Sequence, residues 1–268
     1  MSRGPPNLDQ EDHCKEAIDN KKTVFSIDDG FKKPRYSLIE SIYVDSSDAP
    51  GEGYCGMEMD LSHFSRRSTF VKKLDLDDVN ADSGFVQLTS HPNLLNLMDV
   101  SISKNEIYIN YERPGISLSK LQQYDIIDRI TVATICKKVI HGLIYVHDVL
   151  NIPHGNLHCD NIYLNEEGEI KIGDIGKSMI QTRKTKDVSR DVKAIYDIAE
   201  RLLNLDGNSD KRSVSWVLAK NFVKTTDGIS LQTLLKHPFF NISQDSAYIA
   251  CIWEVYSFIQ TQNKVESQ

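Results

Sequence analysis

A long apolar-periodic segment running into a short loop crowded with polar side chains limits this chain more than any other feature. Residues Ile126 to His147 carry apolar side chains at Ile130, Val132, Ile135, Val139, Leu143 and Val146, near helical spacing. Soon afterwards comes His154-Gly155-Asn156-Leu157-His158-Cys159-Asp160-Asn161, then short β-branched runs, then Asp174-Ile175-Gly176. Histidine, cysteine and aspartate so close together raise the question of zinc. Zinc asks for fixed tetrahedral spacing such as C-x-x-C or H-E-x-x-H, and neither is present.

Position by position, the stretch resembles the catalytic loop H-R-D-L-K-x-x-N and the metal loop D-F-G of the protein kinases. The resemblance covers about Tyr36 to Phe240. It implies an α+β fold of two lobes: a small β-rich N-lobe, a mainly helical C-lobe and a shortened activation segment. The run Cys159-Asp-Asn-Ile-Tyr-Leu164 and the closing Leu234-Leu-Lys-His-Pro-Phe-Phe240 look most like the sterile (STE) group of Ser/Thr kinases. The implied cofactors are ATP and Mg2+.

Two chemical positions depart from the family. Asn156 stands where the family has its aspartate base, and an amide cannot take a proton from a hydroxyl. His158 stands where the family has a lysine, and it is shorter and largely neutral near pH 7. Loss of a general base is worth about 10² to 10⁴ in rate. Asn161 and Asp174 match the two metal positions, both oxygen donors suited to Mg2+. Ile175 keeps the phenylalanine position apolar.

The N-lobe motifs are more divergent. Tyr36 to Ile42 alternates as a first strand, which puts the glycine-rich loop at Tyr43. Gly51-Glu-Gly53-Tyr-Cys-Gly56 fits G-x-G-x-x-G but lies eight residues later. The sequence leaves both registers open. Ser68 to Leu74 reads as a strand resembling V-A-I-K, which carries Lys72 over as the phosphate-binding lysine, with Lys73 one register away. The glutamate that pairs with it in the family falls on Asp82, in a helix expected to be stunted by Ser83-Gly84. Leu97 to Ile102 and Glu106 to Tyr111 read as two further strands. Glu112-Arg-Pro-Gly115 then reads as the hinge between lobes, whose backbone a nucleotide base would contact.

In the C-lobe, Asp191 to Leu203 resembles the buried helix whose aspartate caps the catalytic loop. It follows Asp174 far sooner than in the family, with no A-P-E between them. Lys177, Arg183, Lys184, Lys186 and Arg190 make the intervening segment basic. The arginine that normally meets the A-P-E glutamate falls on Gly228, so both partners are missing together and no buried charge is orphaned. Ala247 to Gln260 places Ile249, Ile252, Trp253, Tyr256 and Ile259 on one helical face, expected to pack on the chain's own C-lobe.

A net charge of -7 argues against a general nucleic-acid or membrane binder. The five cysteines lack paired spacing, which suits free thiols in a reducing compartment, the cytoplasm, with the nucleus as the alternative. No apolar run reaches membrane-spanning length, and the first residues lack a secretory h-region. The expected organisation is a polar tail over 1–35, a kinase-like domain over 36–244 with its lobes meeting near 112–113, and a further helix and tail over 245–268. The reading that results is a pseudokinase, a signalling or scaffolding module for a protein partner such as an active kinase, with groups to hold ATP and its metal but without the base. The alternatives are a divergent Ser/Thr kinase with weak activity and a scaffold that binds no nucleotide.

Overall fold

A computed structural model of the chain describes residues 39–44, 53–60, 65–75, 86–103, 106–181, 188–203, 213–225 and 228–266. Its first layer is an antiparallel sheet of β1 (Ile39–Val44), β2 (Gly53–Asp60), β3 (Ser65–Asp75), β4 (Leu97–Ser103) and β5 (Glu106–Tyr111), in the spatial order β1-β2-β3-β5-β4. In β3 and β5, Phe70 lies opposite Tyr111 and Lys72 opposite Ile109. Side chains alternate along a strand, so these four share one face of the sheet. Phe70, Ile109 and Tyr111 are fully buried there.

Two of the three motif glycines, Gly53 and Gly56, lie in β2 and not in the connection between β1 and β2. Tyr43 and Val44 extend the first strand past Ile42, and Gly56 pairs with Tyr43 while Gly53 pairs with Lys72. Gly53 and Gly56 are therefore ladder residues of β2, and the connection falls on 45–52. Gly51 lies outside the described residues. So do Asp82, its expected helix and the N-terminal tail.

The second lobe is mainly helical. The small sheet β6 (Ile116–Ser117), β7 (Ile162–Leu164) and β8 (Ile170–Ile172) carries the site loops. The helices are α1 (Leu118–Leu121), α2 (Arg129–Asp148), α3 (Ile175–Gln181), α4 (Ser189–Leu203), α5 (Val214–Val223), α6 (Leu231–Leu234) and α7 (Ser246–Glu266). The long helix α2 starts a little later than its apolar pattern suggests because Asp128 is its N-cap, accepting the Thr131 N–H at 2.7 Å. Its apolar stripe, from Val132 through Ile140 to Val146, forms the centre of the core. In α4, Val192, Ile195, Tyr196, Ile198, Ala199 and Leu202 are buried, the one-sided pattern of a helix packed on a core.

Hydrogen bonds to the backbone of β8 join the lobes. The His91-Pro-Asn turn is stitched to β8: Asn93 O accepts from Ile172 N at 3.0 Å, Leu95 N donates to Ile172 O at 2.8 Å, and Asn93 Nδ2 donates to Ile170 O at 3.0 Å. The hinge is clamped by Lys171, whose Nζ lies 2.9 Å from Glu112 Oε1 and 3.2 Å from Glu169 Oε2. Glu112 Oε1 also accepts the Asn96 N–H at 3.1 Å.

The helix α7 packs on its own lobe through Ile249 and Ile252, which are buried, and through Tyr256, edge-on to Tyr124. Gly168, at φ 75°, permits that seating, because a Cβ there would lie 1.9 Å from Ser246 O. Among the described residues no helix is long and apolar enough to cross a membrane.

Candidate functional site

Three elements converge at the site: β3 supplies Lys72, the loop between α2 and β7 supplies His154 to Asn161, and the turn after β8 supplies Asp174. Lys72 Nζ meets Asp174 Oδ1 at 2.5 Å. Asp82, at the position of the family's pairing glutamate, lies outside the described residues; the carboxylate that Lys72 meets among the described residues belongs to Asp174. The cause is the pleat, because Lys72 lies on the sheet face that turns toward the second lobe, where Asp174 stands. Lys73 is exposed and also borders the cavity, but the lysine that meets Asp174 is Lys72.

Asp174 sits at φ 62°. That left-handed conformation costs most side chains strain, and Asp is among the few that tolerate it. Gly173 in front of it donates to Asn161 O at 2.7 Å and lies against the Tyr163 ring. Burial alone would raise the Asp174 carboxyl; the Lys72 charge and hydrogen bond outweigh it and hold it below the usual carboxylate range.

The loop itself hangs on Asp191. This carboxylate is 1% exposed. It accepts the backbone N–H groups of His154 at 2.7 Å and Gly155 at 2.8 Å, and it meets His147 Nε2 at 2.7 Å. Burial pushes its pKa up, but the His147 hydrogen bond, the nearby His154 and the two amides together hold it below the usual range. Gly155, where the family has arginine, adopts φ 76°. His154 Nε2 lies 2.8 Å from the Gly173 carbonyl, which fixes the proton on that nitrogen, and burial pushes its pKa down.

The remaining loop side chains bind one another. Asn161 is buried; its Oδ1 accepts the His158 N–H at 3.0 Å, and its Nδ2 donates to Asn156 O. His158 turns back, Nδ1 accepting from the Asp160 N–H at 3.3 Å, and so does not extend across the cleft. A cavity of about 320 Å³ remains, with Lys72, Asn156, His158, Asn161, Asp174 and Lys177 among its walls. Its two carboxyls are poor bases. Asp174 is held by Lys72, and a Ser119 hydrogen bond foremost holds Asp160 below the usual range. Asn161 Oδ1 and Asp174 are oxygen donors of the kind Mg2+ takes, and Asn161 Oδ1 keeps a second lone pair for it.

Several participants escaped the sequence reading. Directly after Asp174, the described part of the activation segment is α3. Gly176 N donates to Tyr111 Oη at 3.1 Å, and Ser178 Oγ donates to His154 O at 2.8 Å. Ile175 and Ile180 are fully buried. The helix thus pins the segment beneath the N-lobe sheet and to the catalytic loop. Phe70, Tyr111 and Tyr163 were also missed. One signal was available: Phe70 occupies the small alanine position of V-A-I-K.

A family model described as the protein kinase domain matches residues 64–245. The chain therefore belongs to the protein kinase domain family. Among curated relatives, the serine/threonine-protein kinase pakA of Dictyostelium discoideum is 28% identical over 178 residues, 63% of this chain and 15% of that protein. Serine/threonine-protein kinase CST20 of Candida albicans is 30% identical over 89 residues, 33% of this chain and 7% of that one. Serine/threonine-protein kinase pakC of Dictyostelium discoideum is 27% identical over 164 residues, 57% of this chain and 34% of that one. The chain thus spans a minor part of the length of these relatives.

Proposed function

We propose that this chain is a pseudokinase, a kinase fold that acts by binding another protein and not by transferring phosphate. The observation that carries this reading is Asn156, at the position of the family's base and on the wall of the cleft. Phosphoryl transfer is mostly positioning and charge neutralisation, so a site is weakened wherever one of those charges is lost. Here the base has become an amide, the lysine has become a histidine turned toward Asp160, and the remaining carboxylates are engaged. The partner is a protein, with an active protein kinase the first to try. The free thiols of Cys136, Cys159 and Cys251 support a reducing compartment such as the cytoplasm.

A second reading, a slow Ser/Thr kinase, is favoured by one observation: Asn161 and Asp174 keep the oxygen donors that would hold Mg2+. Incorporation of labelled phosphate into the chain itself or a basic protein separates the two. The purified chain should match its Lys72→Ala variant at background. Incorporation that disappears in Lys72→Ala would make it an enzyme.

A further inference from the structure

We infer that Phe70, Tyr111 and Tyr163 fill the compartment where a nucleotide base would lie, so that the cleft is closed by the chain's own side chains and needs no ligand. The base of a nucleotide would lie against the hinge backbone, Glu112 to Gly115. Tyr111 is the residue just before that hinge, and Phe70 is its partner across β3 and β5. Their rings lie 6.4 Å apart. Phe70 is on the same strand face as Lys72, one alternation nearer the hinge. Tyr163 rises from the other lobe, paired with Ser117 just past the hinge and packed on Gly173 next to Asp174.

The three side chains are 0%, 0% and 1% exposed. An open base site leaves its walls accessible; these walls are buried, with Tyr111 also held by the Gly176 N–H at 3.1 Å. None of the three lines the 320 Å³ cavity that remains at the Lys72 and Asp174 end.

The hinge offers little to a base as well. Pro114 has no N–H to give, and the Glu112 N–H already donates to Asn96 O at 3.0 Å. The hinge backbone at Gly115 also lies close against β7, where a Cβ would lie 1.7 Å from Leu164 O. At the other end of the cleft, the Lys72 ammonium sits on Asp174, where a kinase would place its metal. Both halves of the Mg-nucleotide thus have an internal counterpart.

This inference rests on the packing of the cleft, while the proposed function rests on the missing base, and one titration tells them apart. Melting temperature is followed against millimolar ATP with Mg2+ for the wild type, Phe70→Ala and Tyr163→Leu. The second variant keeps apolar bulk and removes a phenol whose oxygen has no hydrogen-bond partner among the described residues, so it guards against a Phe70→Ala chain that does not fold. The expected result is no shift for the wild type and a saturable, ATP-dependent rise in at least one variant. A saturable rise in the wild type overturns the inference while leaving the pseudokinase reading intact. No rise in either folded variant overturns the assignment of these rings as the barrier.

Discussion

Asp191→Ala is expected to destabilise the protein by about 3–5 kcal/mol, the range for removing one partner from a buried charged cluster. The side chain is 1% exposed and holds three donors: the His154 and Gly155 amides and His147 Nε2. Alanine leaves all three without an acceptor in a place water does not reach, and each orphan carries its own desolvation cost. Asp191→Asn keeps the shape and some of the acceptor capacity, so its loss should be smaller. The pH dependence has a defined sign. The folded pKa of Asp191 is depressed, so its stabilisation is present above the unfolded value of about 3.9 and is lost as pH falls toward the folded value. Urea unfolding of the wild type should therefore show falling stability below about pH 4, with a shallower fall in Asp191→Asn. An Asp191→Ala loss within the roughly 0.5 kcal/mol of an ordinary surface change would contradict the capping role.

Phe222→Ala is the second large effect, about 3–5 kcal/mol for emptying a fully buried aromatic site. Phe222 is 0% exposed and lies 5.1 to 5.3 Å, ring to ring, from Tyr196, His237, Phe239 and Phe240. Those neighbours come from α4 and from the His-Pro-Phe-Phe segment, so the ring ties α5 to both. The site collapses poorly because its walls are themselves large rings, which puts the cost at the upper part of the range. Phe222→Leu keeps much of the volume and should lose markedly less. Chemical denaturation monitored by far-UV circular dichroism reads both. Equal losses for the two would mean that volume at this site does not matter.

Much of this was legible in the sequence where function and fold are written in the same residues. The catalytic-loop wording, the role of Asp191 and the Leu-Leu-Lys-His-Pro-Phe-Phe ending are local strings with fixed spacing, and each lands where its string implies. The contact of Lys72 with Asp174 was not legible, because it depends on which way a strand face turns toward a residue 102 positions away. The glycine register was not legible either. Gly53 and Gly56 are free to sit in a turn or a strand, and strand pairing with β1 and β3 placed them in the strand. Phe70 shows a third limit. Its bulk at a small position was visible, but its meaning depends on Tyr111 and Tyr163 arriving from two other strands to complete the packing.

If the groups that a kinase uses on ATP are committed here to one another, then Mg-ATP should leave the backbone undisturbed. The measurement is amide hydrogen exchange over the hinge, residues 112–115, and the catalytic loop, residues 154–161, with and without millimolar Mg-ATP. The predicted result is superimposable exchange curves in both segments. Slowed exchange in the hinge together with the catalytic loop would contradict it, since it would mean that a nucleotide enters the cleft and displaces the contacts of Lys72, Asp174 and the three rings.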